Sequence, residues 1–325
     1  MPVRSLVVAT IVVAAIAGLA ARASAQPFPS RPVTMIVPFS AGGPTDAIAR
    51  VVGERMGQSL GQSVVVENVT GAGGTIAAGR VARAAPDGYT IDLATWSTHV
   101  VTPVLYQLQY DVFRDFDPVV WLTQTPLLLV SKKDLPVNDL KELVAWLKSS
   151  SNPVLLGSAG GTDQVAGFLL QQQTGAKIQV VPYRGLAPAM QDLLAGRIDL
   201  LFDQPSDAMP QIRSGSIKGY AVTRTSRAAI APDIPTVDEA GLPGLHITPW
   251  HSLWVPKGTP PAITAKLNAA AVDALADPAV RNRLSAIGQE VVARERQTPE
   301  ALAAYYKAET DTWWPIIKAA GIKAE

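Results

Sequence analysis

The sequence predicts an α/β protein of two lobes, each a mainly parallel sheet flanked by helices. Two observations carry this. Strand-like and helix-like apolar runs alternate along the chain, the pattern of parallel sheets. The tetrapeptide Ser-Ala-Gly-Gly also occurs twice, beginning at Ser40 and at Ser158, each time between a strand-like and a helix-like run. A duplicated strand–turn–helix unit suggests one copy per lobe.

The elements follow in order. Residues 33–38 read as a strand and 46–60 as a helix, which Gly61 can stop. Residues 63–67 are a second strand, followed by a glycine loop at 68–75 and a helix at 76–84. Pro86-Asp87-Gly88 turns the chain into a strand at 89–94, and Trp96, Ser97, Thr98 and His99 read as the loop after it. Residues 113–120 read as irregular and 121–130 as extended, with a crossover between lobes at 121–124. A helix at 140–148 precedes the second Ser-Ala-Gly-Gly unit. Then come a strand at 178–182, a helix at 187–195, and strands at 198–202, 220–223 and 250–256. Two helices close the chain, with Thr259-Pro260 and Thr298-Pro299 as cap and first residue, and Gly321 as a stop. The division expected is 26–122 with 225–325 as one lobe and 123–224 as the other.

Residues 1–25 read as a cleavable export signal. Arg4 is the positive region, residues 6–20 are apolar and uncharged, and Ala23-Ser24-Ala25 is the cleavage site before Gln26. The formal charge of +1 becomes −1 when Arg4 and Arg22 leave with that segment. Acids and bases are interspersed, so nucleic acid and anionic membranes are not expected partners. The absence of cysteine excludes disulfides, thiolate metal sites and a lipid-modified N-terminal cysteine. His99, His246 and His251 stand in no metal-ligand spacing, so neither a metal nor a cofactor is expected.

In open α/β sheets the ligand lies beyond the carboxyl ends of the strands. The loops there supply Phe39, Ser40, Ala41, Gly42, Gly43, Thr45 and Asp46, then Gly73 and Thr75, then Trp96, Thr98 and His99, then Ser158, Ala159, Gly160, Gly161 and Thr162, and finally Asp203. These are backbone N–H groups, hydroxyls and few charges. Helix N-termini carry unpaired N–H groups and partial positive charge, and glycine lets a ligand approach them closely. The set suits a small carboxylate gripped from both sides. Asp46 and Arg50, four apart, can pair on one helix face, so Asp46 reads equally as a dipole complement or as a ligand contact. Trp96 reads as either a stacking surface or core packing. Trp96, His99, Arg184, Asp203 and Gln204 are candidates for reading the ligand's far end. The loops lack the Gly-Lys-[Ser/Thr] ending of a P-loop, the dinucleotide G-x-G-x-x-G spacing and the G-x-S-x-G elbow of hydrolases.

The ordered motifs resemble those of the Bug-type extracytoplasmic receptors of tripartite tricarboxylate transporter systems. They include Phe28-Pro29-Ser30-Arg31-Pro32-Val33, Val37-Pro38-Phe39-Ser40-Ala41-Gly42-Gly43 with Asp46, and Gly71-Ala72-Gly73-Gly74. Further along are Pro86-Asp87-Gly88-Tyr89-Thr90, Gly157-Ser158-Ala159-Gly160-Gly161-Thr162, Val181-Pro182-Tyr183-Arg184-Gly185, Pro232-Asp233-Ile234-Pro235-Thr236 and Val255-Pro256-Lys257-Gly258-Thr259-Pro260. The resemblance implies a two-lobed periplasmic-binding-protein fold of the type II kind. It implies a monomeric, non-enzymatic receptor that closes by a hinge on a small dicarboxylate or aromatic carboxylate. It further implies that the two Ser-Ala-Gly-Gly loops hold one carboxylate and that the closed form docks on integral-membrane permease subunits. Two alternatives stand beside it: a ligand sensor signalling to a membrane receptor, and a hydrolase or isomerase using the same cleft.

Overall fold

The computed structural model describes residues 28–183 and 185–322; the export signal expected at residues 1–25 and the candidate Arg184 lie outside them. Strand β1 (Val33–Val37) is followed by helix α1 (Pro44–Leu60), β2 (Val64–Asn68), α2 (Thr75–Ala82) and β3 (Thr90–Thr95). Next come β4 (Phe116–Gln124), β5 (Leu128–Lys132), α3 (Leu140–Ser149), β6 (Val154–Ser158), α4 (Gly161–Thr174) and β7 (Ile178–Pro182). The chain continues through α5 (Leu186–Leu194), β8 (Leu200–Asp203), α6 (Pro205–Arg213) and β9 (Ile217–Val222). It ends with β10 (Trp250–Pro256), α7 (Pro261–Ala276), α8 (Pro278–Ala286), β11 (Glu290–Val291) and α9 (Pro299–Ala320).

The strands form two sheets, in the orders β11-β4-β10-β3-β1-β2 and β7-β6-β8-β5-β9. In the first, β1 lies parallel between β2 and β3, and β10 adds antiparallel to β3 and β4. In the second, β6 lies parallel between β7 and β8, and β5 adds antiparallel to β8 and β9. The two sheets thus repeat one plan, with β1 and β6 in equivalent places. Each sheet is mixed, not mainly parallel. Only strands joined through a covering helix run parallel; β5 and β10, which enter each sheet from the other lobe, run the opposite way.

The passage between lobes lies one step later than the sequence suggests. Residues 121–124 are still strand, with Trp250 opposite Gln124, and the chain crosses at 125–127. It returns between Val222 and Trp250, and the two passages run side by side. Thr125 N–H donates to the Pro249 carbonyl at 2.9 Å. Thr223 N–H donates to the Leu127 carbonyl and Leu127 N–H to Thr223 Oγ1, each at 2.9 Å, and Thr223 Oγ1 donates to the Ile247 carbonyl at 2.6 Å. Residues 116–120, expected to be irregular, belong to β4 because Phe116, Val119 and Val120 bury their side chains in it.

Burial explains the strand composition. β1 buries Val33, Met35, Ile36 and Val37, apolar on both faces because helices cover both sides of the sheet. One core packs α1, α7 and α8 under the first sheet through Ile48, Met56, Leu253, Leu267 and Leu284. Another runs from Trp121 and Trp250 through α9 to Leu156 and Val165, spanning both lobes. Helix ends follow local chemistry. Thr298 caps α9 by accepting from Ala301 N–H, and Gly61 and Gly321 end α1 and α9 in the left-handed conformation. Thr259 does not cap α7: its hydroxyl donates back to the Pro256 carbonyl at 2.7 Å, and Pro260 holds the cap position. A further helix and a short strand, α8 and β11, separate the two terminal helices that the sequence suggests.

Candidate ligand site between the lobes

The first Ser-Ala-Gly-Gly turn joins β1 to α1. Ser40, Ala41 and Gly42 are exposed, while Phe39 and Gly43 are half-buried. Gly42 has φ +84°, a conformation that favours glycine. Pro44 fills the first helical position, where a missing N–H costs nothing. The N–H groups of Thr45 and Asp46 then have no acceptor within the helix. The second turn joins β6 to α4 in the same way, with Gly160 before the helix and Gly161 and Thr162 opening it. Ala159, Gly160, Gly161 and Thr162 are half-buried. Ser158 is fully buried; its hydroxyl donates to the Gly160 carbonyl at 3.0 Å and holds the turn.

Both turns are closed by an aspartate in the first helical turn. Asp46 Oδ2 accepts from Gly42 N–H at 3.0 Å and from Arg50 Nε at 2.8 Å, and Oδ1 accepts from Asn68 Nδ2 at 3.1 Å. Burial works against its ionisation, but the hydrogen bonds from Arg50, Gly42 and Asn68 outweigh it and hold its pKa below the ordinary carboxylate value. Asp163 Oδ2 accepts from Ala159 N–H at 2.8 Å. These carboxylates shape the loops from behind.

Thr45 is committed as well. Its Oγ1 lies 3.2 Å from His251 Nε2, and His251 Nδ1 lies 3.4 Å from Thr123 Oγ1. Thr123 donates to Gln289 Oε1 at 2.9 Å, and Gln289 Nε2 donates to Gln204 Oε1 at 3.3 Å. Because Thr123 gives its proton to Gln289, it accepts from His251 Nδ1–H, and His251 Nε2 accepts from Thr45. The imidazole is therefore neutral, as full burial also demands by pushing its pKa down to about 4. This chain runs from the first turn, in one lobe, to Gln204 at the end of β8, in the other. Sequence reading missed it because its members lie far apart along the chain.

The third loop brings Gly73 and Thr75 beside the first turn's lobe. Ala72, Gly73 and Gly74 have φ of +47°, +61° and +91°, and Thr102 Oγ1 donates to the Gly73 carbonyl at 3.1 Å. Gly73 is exposed and Thr75 half-buried.

Trp96, Thr98 and His99 correct the expectation of an open loop. After β3 the chain winds directly into a π-helical turn, Ser97–Val101, which turns these side chains inward. Trp96 is buried, donates from Nε1 to Glu309 Oε2 at 2.7 Å, and meets Trp313 edge-on. Thr98 Oγ1 accepts from Thr95 N–H at 3.0 Å and donates to the Thr95 carbonyl at 3.1 Å. His99 is fully buried among Phe116, Trp254 and Tyr306, with Nε2 3.5 Å from Asp92 Oδ2. Burial pushes its pKa down to about 3. None of the three presents a polar group to a cleft. Ser97 and Val101, by contrast, face the other lobe, where Gly161 abuts them.

Asp203 ends β8 fully buried. Its Oδ1 accepts from Gln204 N–H at 2.7 Å, and Oδ2 has no hydrogen-bond partner among the described residues. Burial, with the nearby Asp207 and Asp163, raises its pKa well above the carboxylate value. No group of acids and histidines with metal-binding geometry occurs among the described residues. His246 is an exposed partner of Asp238 at 2.8 Å and lies outside the site.

Residues 48–322 match the model of the tripartite tricarboxylate transporter family receptor. The chain belongs to this family. It is therefore a solute-binding receptor by descent, with the two-lobed fold of that class. It is similar to the periplasmic binding protein BugD, 40% identical with a TM-score of 0.82, over 92% of this chain and all of that one. It is similar to MatC (Rpa3494) from Rhodopseudomonas palustris, solved with bound malate: 40% identical, TM-score 0.82, over 89% of this chain and all of that one. R. palustris Rpa4515, solved with adipate, is 34% identical with a TM-score of 0.83, over 91% of this chain and 99% of that one.

Proposed function

We propose that the protein is a periplasmic receptor that captures a small organic carboxylate between its lobes and delivers it to a membrane permease of the tripartite tricarboxylate type. The observation that carries this reading is the paired geometry. Two equivalent strands, β1 and β6, each end in a glycine turn held by an aspartate, and each turn opens a helix whose first N–H groups lack helical acceptors. Oriented backbone donors and helix dipoles stabilise an anion without a counter-charge that would have to be desolvated. The similarity to receptors solved with malate and adipate supports an aliphatic dicarboxylate over an aromatic acid. A protonated Asp203 would not repel a second carboxylate, so its raised pKa is compatible with a dicarboxylate.

Capture works by hinge closure at the paired passages around Thr125 and Thr223, the ligand stabilising the closed form by bridging both lobes. Residues 1–25 serve as the export signal, and the mature protein, beginning at Gln26, acts as a monomer.

A thermal-shift screen of residues 26–325 against dicarboxylates, tricarboxylates, acidic amino acids and aromatic acids tests this. A ligand at 100 times its Kd adds about 2.7 kcal/mol of stability. A selective dicarboxylate response is expected; silence across all carboxylates would overturn the reading.

A further inference from the structure

The last glycine of each Ser-Ala-Gly-Gly turn occupies the same place in the local pattern, yet the two meet different surroundings. A Cβ added at Gly43 would touch only the Ser40 carbonyl oxygen, at an ordinary 3.5 Å. A Cβ added at Gly161 would overlap Val101 Cγ1 and lie 3.1 Å from Val101 Cβ, with Ser97 Oγ at 3.7 Å. Gly161 opens α4 without a left-handed φ, so its backbone does not require glycine. Only the space does, and that space belongs to the opposite lobe.

Val101 gives little room. It ends the π-helical turn, is fully buried, and its β-branched side chain has one strongly preferred rotamer in a helix. The atom that remains close after any rotation is Cβ, fixed to the backbone. A π turn inside a helical segment is itself a costly irregularity that recurs at functional sites. Here it carries Ser97 and Val101 to the N-terminus of α4.

We propose that Gly161 is a positioning residue for lobe closure: its missing side chain lets the N-terminus of α4 seat on the Ser97–Val101 turn, bringing the second anion-binding turn against the first lobe. This rests on the hinge-closure reading above. It makes the second turn asymmetric with the first. Gly43 serves the local turn, whereas Gly161 serves the fit between lobes. An alanine at 161 would hold the lobes apart and lower the fraction of binding-competent molecules. If that fraction fell about tenfold, the apparent Kd would rise about tenfold.

The test uses interlobe distance, which needs no ligand. The chain has no native cysteine, so Gln58→Cys and Lys148→Cys, at exposed positions in the two lobes, accept spin labels cleanly. Pulsed electron–electron resonance on the otherwise native protein gives the reference distribution. Gly161→Ala should shift it to longer distances, and adding Val101→Ala, which removes the overlapping Cγ1 methyl and leaves only the 3.1 Å approach of Cβ, should move it most of the way back. Malate and adipate titrations then read affinity: weaker for Gly161→Ala, recovered in the double variant. An unchanged distance distribution in Gly161→Ala overturns the inference, as does weakened binding that Val101→Ala fails to restore. Failure of the unsubstituted protein to bind any carboxylate would instead overturn the proposed function, leaving the distance result to decide this inference alone.

Discussion

Asp46 and Asp163 perform one task in two lobes: each accepts a hydrogen bond from the backbone N–H four residues earlier, Gly42 and Ala159, and so closes the turn in front of its own helix. The sequence repeat extends beyond Ser-Ala-Gly-Gly to the acid behind it. The first copy inserts Pro44 between turn and acid, which shifts the bond from the second residue of the tetrapeptide to the third. An acid so placed also complements the helix dipole, but its geometric role is to keep the loop amides pointing outward.

Asp46→Ala removes the acceptor of Gly42, Arg50 and Asn68 together. Hydrogen bonds to charged groups contribute about 1.5–3 kcal/mol each, although Arg50 is partly exposed and can rehydrate. A loss of roughly 2–3 kcal/mol in urea unfolding is expected, with weaker carboxylate binding as the turn loosens. Because the folded pKa of Asp46 lies below its unfolded value, its contribution is present above the unfolded pKa of about 3.8 and fades only as pH falls through the folded value. The variant should therefore approach wild-type stability in strong acid, which a urea series from pH 6 to pH 2.5 would reveal.

Thr45→Val tests whether the hydroxyl serves His251 or the ligand. Its removal leaves His251 Nε2 buried without a donor, at a cost of about 1–3 kcal/mol. Stability should fall while carboxylate affinity, measured by calorimetry, changes less than threefold. A large loss of affinity with unchanged stability would show that the hydroxyl faces the ligand instead.

The acid limb of the stability curve should carry the signature of His251. Its folded pKa of about 4 lies below its unfolded value near 6.5. The native state keeps it neutral while the unfolded state charges, so its contribution is full above pH 6.5 and is lost as pH falls toward 4. A shift of that size corresponds to roughly 3 kcal/mol. His251→Gln, which does not titrate, should be less stable than wild type at pH 7. The gap should narrow between pH 6.5 and pH 4 in a thermal-melt series. A constant gap would mean that folding leaves the pKa of the imidazole unshifted.

Glu309 gathers the indole N–H groups of Trp96 and Trp250 on one carboxylate oxygen, at 2.7 and 3.3 Å. Glu309→Leu should strand both donors in the core and destabilise by about 2–5 kcal/mol. It should also change the near-ultraviolet circular dichroism, because Trp313 packs edge-on to Trp96. Glu309→Gln, which keeps one acceptor, should lose about half as much.

Local chemistry made much of the fold legible. The strands at 178–182 and 250–256 are where their apolar runs lie, Thr298 and Gly321 bound α9, and Asp46 meets Arg50 at the spacing of one helical turn. What stayed hidden depends on neighbours distant in sequence. The passage at 125–127 is invisible because β4 and β5 are both apolar and the break between them is set by the pairing of β4 with β10. Trp96 and His99 follow a strand end, where a loop is the natural reading, but the chain enters a π turn that folds them onto α9 and Trp254. The bond from Thr45 to His251 joins residues from opposite ends of the first lobe, and no spacing rule reaches that far. At the candidate site, the backbone turns were readable from their glycines, whereas the side chains that support them were not.

The two sheets also differ in how much of the chain each one needs. All five strands of the second sheet come from one unbroken stretch, Leu128 to Val222. That sheet can complete itself as soon as this stretch is available. The first sheet cannot: β3 ends at Thr95, and its partner β10 begins only at Trp250. Until those later residues arrive, the inner edge of β3 offers open backbone groups to any extended chain nearby. A chain ending short of Trp250 would therefore carry every strand of the second sheet but lack the strand that joins β3 to β4 in the first.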